Sequence, residues 1–166
     1  MRAGIALGSN LGDRLENLRR ARTAILKVDG AGDPVLSSAV YATEAVGCEE
    51  DAGEFLNAVV EVEFEGNPRD LLRNLKTIET SMGRPAAHKR NTSRTVDIDL
   101  LYVDAIEVRD EDLRVPHPRM VTRRFVLEPL SDIRAELVLP GQEKPVSELL
   151  ALLPESARVL RLTNDW

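Results

Sequence analysis

Apolar residues run together from Ala3 to Leu7 and stop at Gly8-Ser9-Asn10, the pattern of a buried strand entering a turn. Beyond the turn the period changes. Leu15, Leu18, Ala21 and Ile25 recur at helical spacing with Arg19, Arg20 and Lys27 between them, and Asp13 followed by Glu16 has the spacing of a capping box. This predicts a helix over about residues 13–28. Two strand-like stretches follow, at residues 34–43 and 55–64. In the second, Val60, Val62 and Phe64 alternate with Glu61, Glu63 and Glu65, which predicts one buried and one wet face.

Asn67-Pro68 has the form of an N-cap followed by a first-turn proline. Leu71, Leu72, Leu75, Ile78 and Met82 make an apolar stripe behind it, and Gly83 closes the helix. Residues 84–94 lose all apolar period and hold Arg84, His88, Lys89, Arg90 and Arg94, after which residues 95–103 return to strand composition. The order β-α-β-β-α-β is that of the ferredoxin-like α+β arrangement, an antiparallel sheet with two helices on one face. Residues 104–166 add a C-terminal extension: a polar hairpin-like stretch, a loop around Val115-Pro116-His117-Pro118, a short helix near 146–153 and a last strand near 158–162. With no repeat, low-complexity tract or linker, the chain reads as one domain over residues 1–166.

Composition narrows the partners. The chain has 166 residues, 43% of them apolar and 30% charged, enough for one domain with a full core. A formal charge of −6 argues against a nucleic-acid or membrane-surface partner, so any site for a polyanion has to be local. The single cysteine, Cys48, excludes an internal disulfide framework, and the start of the sequence lacks the basic region and apolar run of a secretion signal. No apolar run approaches the roughly 20 residues of a transmembrane helix. A cytoplasmic protein is expected.

Strand geometry in Thr95-Val96-Asp97-Ile98-Asp99-Leu100 puts Asp97 and Asp99 on one face and Val96, Ile98 and Leu100 on the other. Two adjacent carboxylates suit magnesium carrying a nucleotide's phosphates; in isolation such a pair is more commonly the charge that keeps an edge strand from aggregating. The basic loop immediately before it favours the former, because phosphoryl transfer needs cations beside a metal-carboxylate centre. Glu79 falls on the edge of the second helix's apolar stripe, where it could bond a ligand or pair with an arginine. His117, stiffened between two prolines and followed by Arg119, Arg123 and Arg124, is either presented to a phosphate or an ordinary turn histidine. There is no Walker A sequence or kinase glycine loop, and two histidines with one cysteine do not make a structural zinc site. Phe55 and Phe125 could stack a flat heterocycle or fill a core, and Thr43 and Asn57 could bond its edge or serve a turn.

Taken together, Ala6-Leu7-Gly8-Ser9-Asn10-Leu11-Gly12, Phe55-Leu56-Asn57-Ala58, Ile78-Glu79 with Gly83-Arg84, Arg94-Thr95-Val96-Asp97-Ile98-Asp99-Leu100-Leu101, and Val115-Pro116-His117 with Arg123-Arg124-Phe125 resemble the 6-hydroxymethyl-7,8-dihydropterin pyrophosphokinase family through nearly the whole chain. The resemblance implies a ferredoxin-like fold, ATP and the hydroxymethyl dihydropterin as substrates, two magnesium ions bound with ATP, and AMP as the second product of folate-pathway chemistry. Asp97 and Asp99 resemble the metal-binding carboxylates, catalytic together with Arg84 and Arg94. Arg84, Arg94 and Arg123 resemble the phosphate-contacting arginines, and His117, Glu79 and Ile98 complete the implied ATP site. Thr43, Val46, Phe55, Asn57 and Phe125 match the pterin pocket. The implied reaction is in-line attack of the pterin hydroxyl on the β-phosphorus. Asn91-Thr92-Ser93 stands where many members have tryptophan-glycine-proline, so the loop closing the site differs. The expected assembly is a monomer or at most a weak homodimer. Two other readings remain at this point: a magnesium-dependent nucleotide enzyme acting on another acceptor, and a non-catalytic ligand-binding module in which Asp97 and Asp99 are surface charges.

Overall fold

The computed structural model of the chain describes residues 1–43, 53–83, 95–154 and 159–166. Strand β1 (Arg2–Ser9) leads into helix α1 (Arg14–Ile25), then β2 (Ala31–Ser37), β3 (Val40–Thr43), β4 (Phe55–Phe64), α2 (Pro68–Ser81) and β5 (Asp97–Val103). A small hairpin, β6 (Val108–Arg109) with β7 (Arg114–Val115), precedes a 3-10 turn at Met120–Thr122, α3 (Arg124–Arg134), α4 (Val146–Ala151) and β8 (Val159–Thr163). The main sheet is ordered β5-β1-β4-β3-β8, with β2 also on β4, and its adjacent strands are antiparallel. This is the ferredoxin-like order with one strand added at the edge.

The local signals for α1 and α2 operate as their residues predict. The Asp13 carboxylate accepts the Glu16 N–H at 3.0 Å, and the Asn67 side chain accepts that of Arg69 at 2.8 Å. Leu18, Leu71 and Leu75 bury completely against Ile5, Leu7, Val60 and Val62. Each such leucine contributes about 1.5–3 kcal/mol relative to an exposed one.

Two expectations need correction. The stretch 34–43 is not one strand: β2 pairs with Val60–Phe64 and β3 with Phe55–Asn57 on the same side of β4. Between them Ser38 donates its N–H to Val59 O, and its hydroxyl accepts the Val59 N–H at 2.9 Å, so a side chain carries the ladder across the break. Nor is there a wet face on β4. Glu61 is 2% exposed, because α3 covers that side of the sheet and a second core forms there around Val59, Leu101, Tyr102, Met120, Leu127 and Leu130. The buried carboxylate is satisfied by Tyr102 Oη and by the Arg134 guanidinium, whose Nε lies 3.0 Å from it.

One irregularity sets up the site. In the pairing of β1 with β5, Gly4 faces Tyr102 and Ile5 faces Leu100, so Leu101 is an extra residue, a β-bulge. Leu101 and Tyr102 both reach the second core, while Leu100 and Val103 stay in the first. The Tyr102 ring crosses β1 over Gly4, where a Cβ would lie 2.1 Å from Cε1; only glycine admits it.

Candidate active site

Register carries Thr43, Phe55, Asn57, Asp97 and Asp99 to one end of one face. Asp97 pairs with Gly8, which pairs with Asn57, which pairs with Tyr41; Asp99 pairs with Ala6, which pairs with Val59. Phe55 and Thr43, also paired, continue the same face toward the strand ends. On β1 this face is made of Gly4, Ala6 and Gly8, so the centre of the sheet is a shallow trough between the aspartates and the Asn57 column. Asp97 and Asp99 are half-exposed there, whereas Ile98 turns its side chain into the first core at 4% exposure.

Within the trough Asn57 donates from Nδ2 to Thr43 Oγ1 at 2.7 Å, and both residues are buried. A Cβ at Gly8 would lie 3.1 Å from Asn57 Oδ1, so the glycine leaves room for that amide. Phe55 and Phe125 are half-buried, the first at the start of β4 and the second on the first turn of α3, which lies over this face. Arg123 stands at the head of α3, its guanidinium 5.4 Å from the centroid of the Phe125 ring and 3.9 Å from Asp99 Oδ2.

His117 reaches the site through the bulge. Its N–H donates to Leu101 O at 2.7 Å, and its Nδ1 accepts the Arg119 N–H at 3.2 Å. With Nδ1 engaged as acceptor, the neutral ring carries its proton on Nε2 and offers a donor there. Burial holds the imidazole below its ordinary range; Asp99 opposes this, Arg123 and Arg119 reinforce it, and Asp97 opposes it more weakly. Burial thus favours the neutral form of the ring. Glu79, on the last turn of α2 and 8% exposed, accepts the Ile98 N–H on Oε1 at 2.7 Å.

The described residues thus bring together Thr43, Phe55, Asn57, Glu79, Asp97, Ile98, Asp99, His117, Arg123 and Phe125, while Val46, Arg84 and Arg94 lie outside them. Sequence reasoning missed two supports. Asn17 on α1 donates from Nδ2 to Leu11 O at 2.8 Å and to Ser9 Oγ at 3.3 Å, holding the turn that follows β1. Leu101 supplies the carbonyl that anchors His117. The small residues at every second position of β1 were the available signal for the trough. Among the described residues no group of three or more His, Cys, Asp and Glu side chains could hold a metal ion. A pair of carboxylates fits magnesium nonetheless, because that ion keeps several waters and takes phosphate oxygens beside one or two protein ligands.

A ferredoxin-like α+β protein with paired carboxylates, a histidine and an arginine gathered at one end of its sheet is the class that fold and site define. The family model for 7,8-dihydro-6-hydroxymethylpterin-pyrophosphokinase (HPPK) matches residues 4–135, and the chain belongs to that family. It is 44% identical over 131 residues to the 2-amino-4-hydroxy-6-hydroxymethyldihydropteridine pyrophosphokinase of Bacillus subtilis, covering 79% of this chain and 77% of that one. The enzyme of the same name from Haemophilus influenzae is 37% identical, over 85% of this chain and 86% of its own. The folic acid synthesis protein FOL1 of Dictyostelium discoideum is 33% identical over 93% of this chain, which spans only 23% of that longer protein. Among solved structures, wild-type Plasmodium falciparum HPPK-DHPS with pteroate superposes with a TM-score of 0.67 at 15% identity, over 90% of this chain and 42% of that one, a likeness of fold.

Proposed function

We propose that this chain transfers the pyrophosphoryl group of magnesium-bound ATP to the hydroxymethyl group of 6-hydroxymethyl-7,8-dihydropterin, releasing AMP, in folate synthesis. The observation that carries this reading is the row across one face of the sheet: Asp97 and Asp99, the trough of β1, and the Asn57–Thr43 pair, with His117 and Arg123 beside the carboxylates. The pterin oxygen forms a bond to the β-phosphorus, the bond from that phosphorus to the α-phosphate oxygen breaks, AMP leaves with the electron pair, and the hydroxyl proton passes to solvent. Two magnesium ions, held by Asp97 and Asp99, would neutralise phosphate charge and acidify the hydroxyl when bound with ATP.

The residues do the rest by positioning. Arg123, Arg84 and Arg94 offset the charge on the phosphate oxygens, and His117 donates from Nε2 to one of them. Glu79 and Ile98 border the nucleotide. Asn57 and Thr43 bond the edge of the pterin, Phe55 and Phe125 stack on its faces, and Val46 completes the pocket. Residues 1–166 act as one domain, a monomer or at most a weak homodimer, in the cytoplasm and without nucleic-acid or membrane partners. Among the described residues no helix is long and apolar enough to cross a membrane.

The test is AMP release from ATP and magnesium, with and without the dihydropterin. Pterin-dependent AMP should form and should fall on the order of 100-fold or more in Asp97→Ala. Protein that binds ATP but makes no AMP with the pterin acts on another acceptor; protein that binds no ATP is a non-catalytic module.

A further inference from the structure

We propose that Glu79 is a positioning residue for the aspartate pair: by holding the peptide between Asp97 and Ile98 it sets the stance of Asp97 and Asp99, and with it their affinity for a divalent cation. The proposal rests on the metal role given above to the two aspartates. Its grounds lie in a single hydrogen bond and in where that bond falls.

The N–H that Glu79 Oε1 accepts at 2.7 Å belongs to Ile98. That N–H is part of the planar unit joining Asp97 to Ile98, so fixing its direction fixes one backbone torsion of each residue. The Ile98 side chain is anchored as well, 4% exposed in the first core. Residue 98 is therefore held by its side chain from below and by its amide from α2, and the two flanking carboxylates, half-exposed on the opposite face, inherit that orientation. The geometry also shows why a helix side chain is needed. Among the described residues, strand β5 lies at the edge of the sheet, with β1 on one side and no strand on the other. An outward N–H there must find a partner elsewhere, and α2 packs alongside β5. Glu79 is itself 8% exposed, so its carboxylate has been taken from water to do this. Groups that orient metal ligands from behind typically change metal affinity by 10–100-fold when removed.

Two variants separate the hydrogen bond from the charge. Glu79→Gln keeps an acceptor oxygen at the same reach without the charge; Glu79→Asp keeps the charge but falls one methylene short. The probe is Mn2+ added to the full chain, with free ion followed by electron paramagnetic resonance, and thermal unfolding checks that each variant is folded. Glu79→Gln should bind Mn2+ within about threefold of the parent, and Glu79→Asp about tenfold or more weakly. Exchange of the Ile98 amide hydrogen should stay slow in the first and quicken in the second. Parent-like Mn2+ binding by Glu79→Asp overturns the proposal, as does a loss in Glu79→Gln equal to that in Glu79→Asp. A parent protein that binds no Mn2+ sinks the metal role of the aspartates and this inference with it. Normal Mn2+ binding without pterin-dependent AMP leaves the inference standing and removes only the proposed reaction.

Discussion

At the scale of single residues the site depends on who answers whom. Asn57 and Thr43 are bonded to each other at 2.7 Å in a buried setting, which fixes the amide before any ligand arrives. Thr43→Val keeps the shape and removes the acceptor. Steady-state kinetics should show KM for the dihydropterin rising about fivefold to tenfold and KM for ATP unchanged, with a stability loss of about 1–3 kcal/mol because the Asn57 amide donor is left buried without its acceptor. The aspartates were legible in the sequence because the strand repeat is local: residues 97 and 99 share a face whatever surrounds them. The Phe55, Asn57 and Phe125 positions were legible only through the resemblance, since composition leaves core and pocket equally open. The partner of Glu79 was not legible at all. Helical spacing puts the carboxylate on the edge of the stripe, but that it meets the Ile98 amide follows from how α2 lies beside β5, which no spacing within α2 encodes.

Elements are where reading and structure diverge most instructively. Helices α1 and α2 carry caps and clean stripes, and their ends were readable. Helix α3 was not anticipated: Arg123 at its N-cap makes no side-chain cap, and Pro129 lies inside it, so a sequence reader sees a loop with a breaker. It forms because Val126, Leu127 and Leu130 bury against the sheet. Its attachment is also polar. Burial alone would push the Glu61 carboxyl up, but hydrogen bonds from Arg134 and then Tyr102 outweigh it and hold the group below its ordinary value of 4.5. A carboxyl depressed on folding lends stability that is complete above its unfolded value and is lost as pH falls through the folded one. Arg134→Met should therefore lower the free energy of unfolding by about 3 kcal/mol at neutral pH, since it leaves a buried charge unpaired. In urea titrations at a series of pH values, the gap between parent and variant should narrow as pH falls, starting where the unpaired carboxyl of the variant protonates and ending below 4.5, where that of the parent does.

On the scale of the whole molecule, one face of the sheet is divided between two tasks: near the strand ends it presents the site, and farther along it packs α3 and α4. Residue 166 ties distant parts of this plan together. Trp166 donates from Nε1 to Ser38 O at 2.8 Å, at the break between β2 and β3, and its ring lies 5.3 Å from the Arg22 guanidinium of α1, which also donates to the Trp166 carbonyl. Trp166→Ala should cost about 3 kcal/mol, seen in calorimetry as a fall in Tm on the order of 6–12 °C, with the kinetic constants for the dihydropterin little altered.

Leu101 occupies an unusual position in this plan. It is supernumerary to the pairing: without it Leu100 would still meet Ile5, Tyr102 would still cross Gly4, and Val103 would still enter the first core, now by simple alternation. What the extra residue adds is a carbonyl turned out of the ladder toward His117, together with a side chain for the second core. Sheet and hook are consequently separable in the gene. Loss of one codon here is a milder insult to the fold than loss of a codon from the interior of β1, where every later side chain would change sides, yet it unfastens the histidine from the aspartates. Changes in length, and not only changes of residue, are thus a way for descendants of this sequence to keep the architecture while surrendering the chemistry.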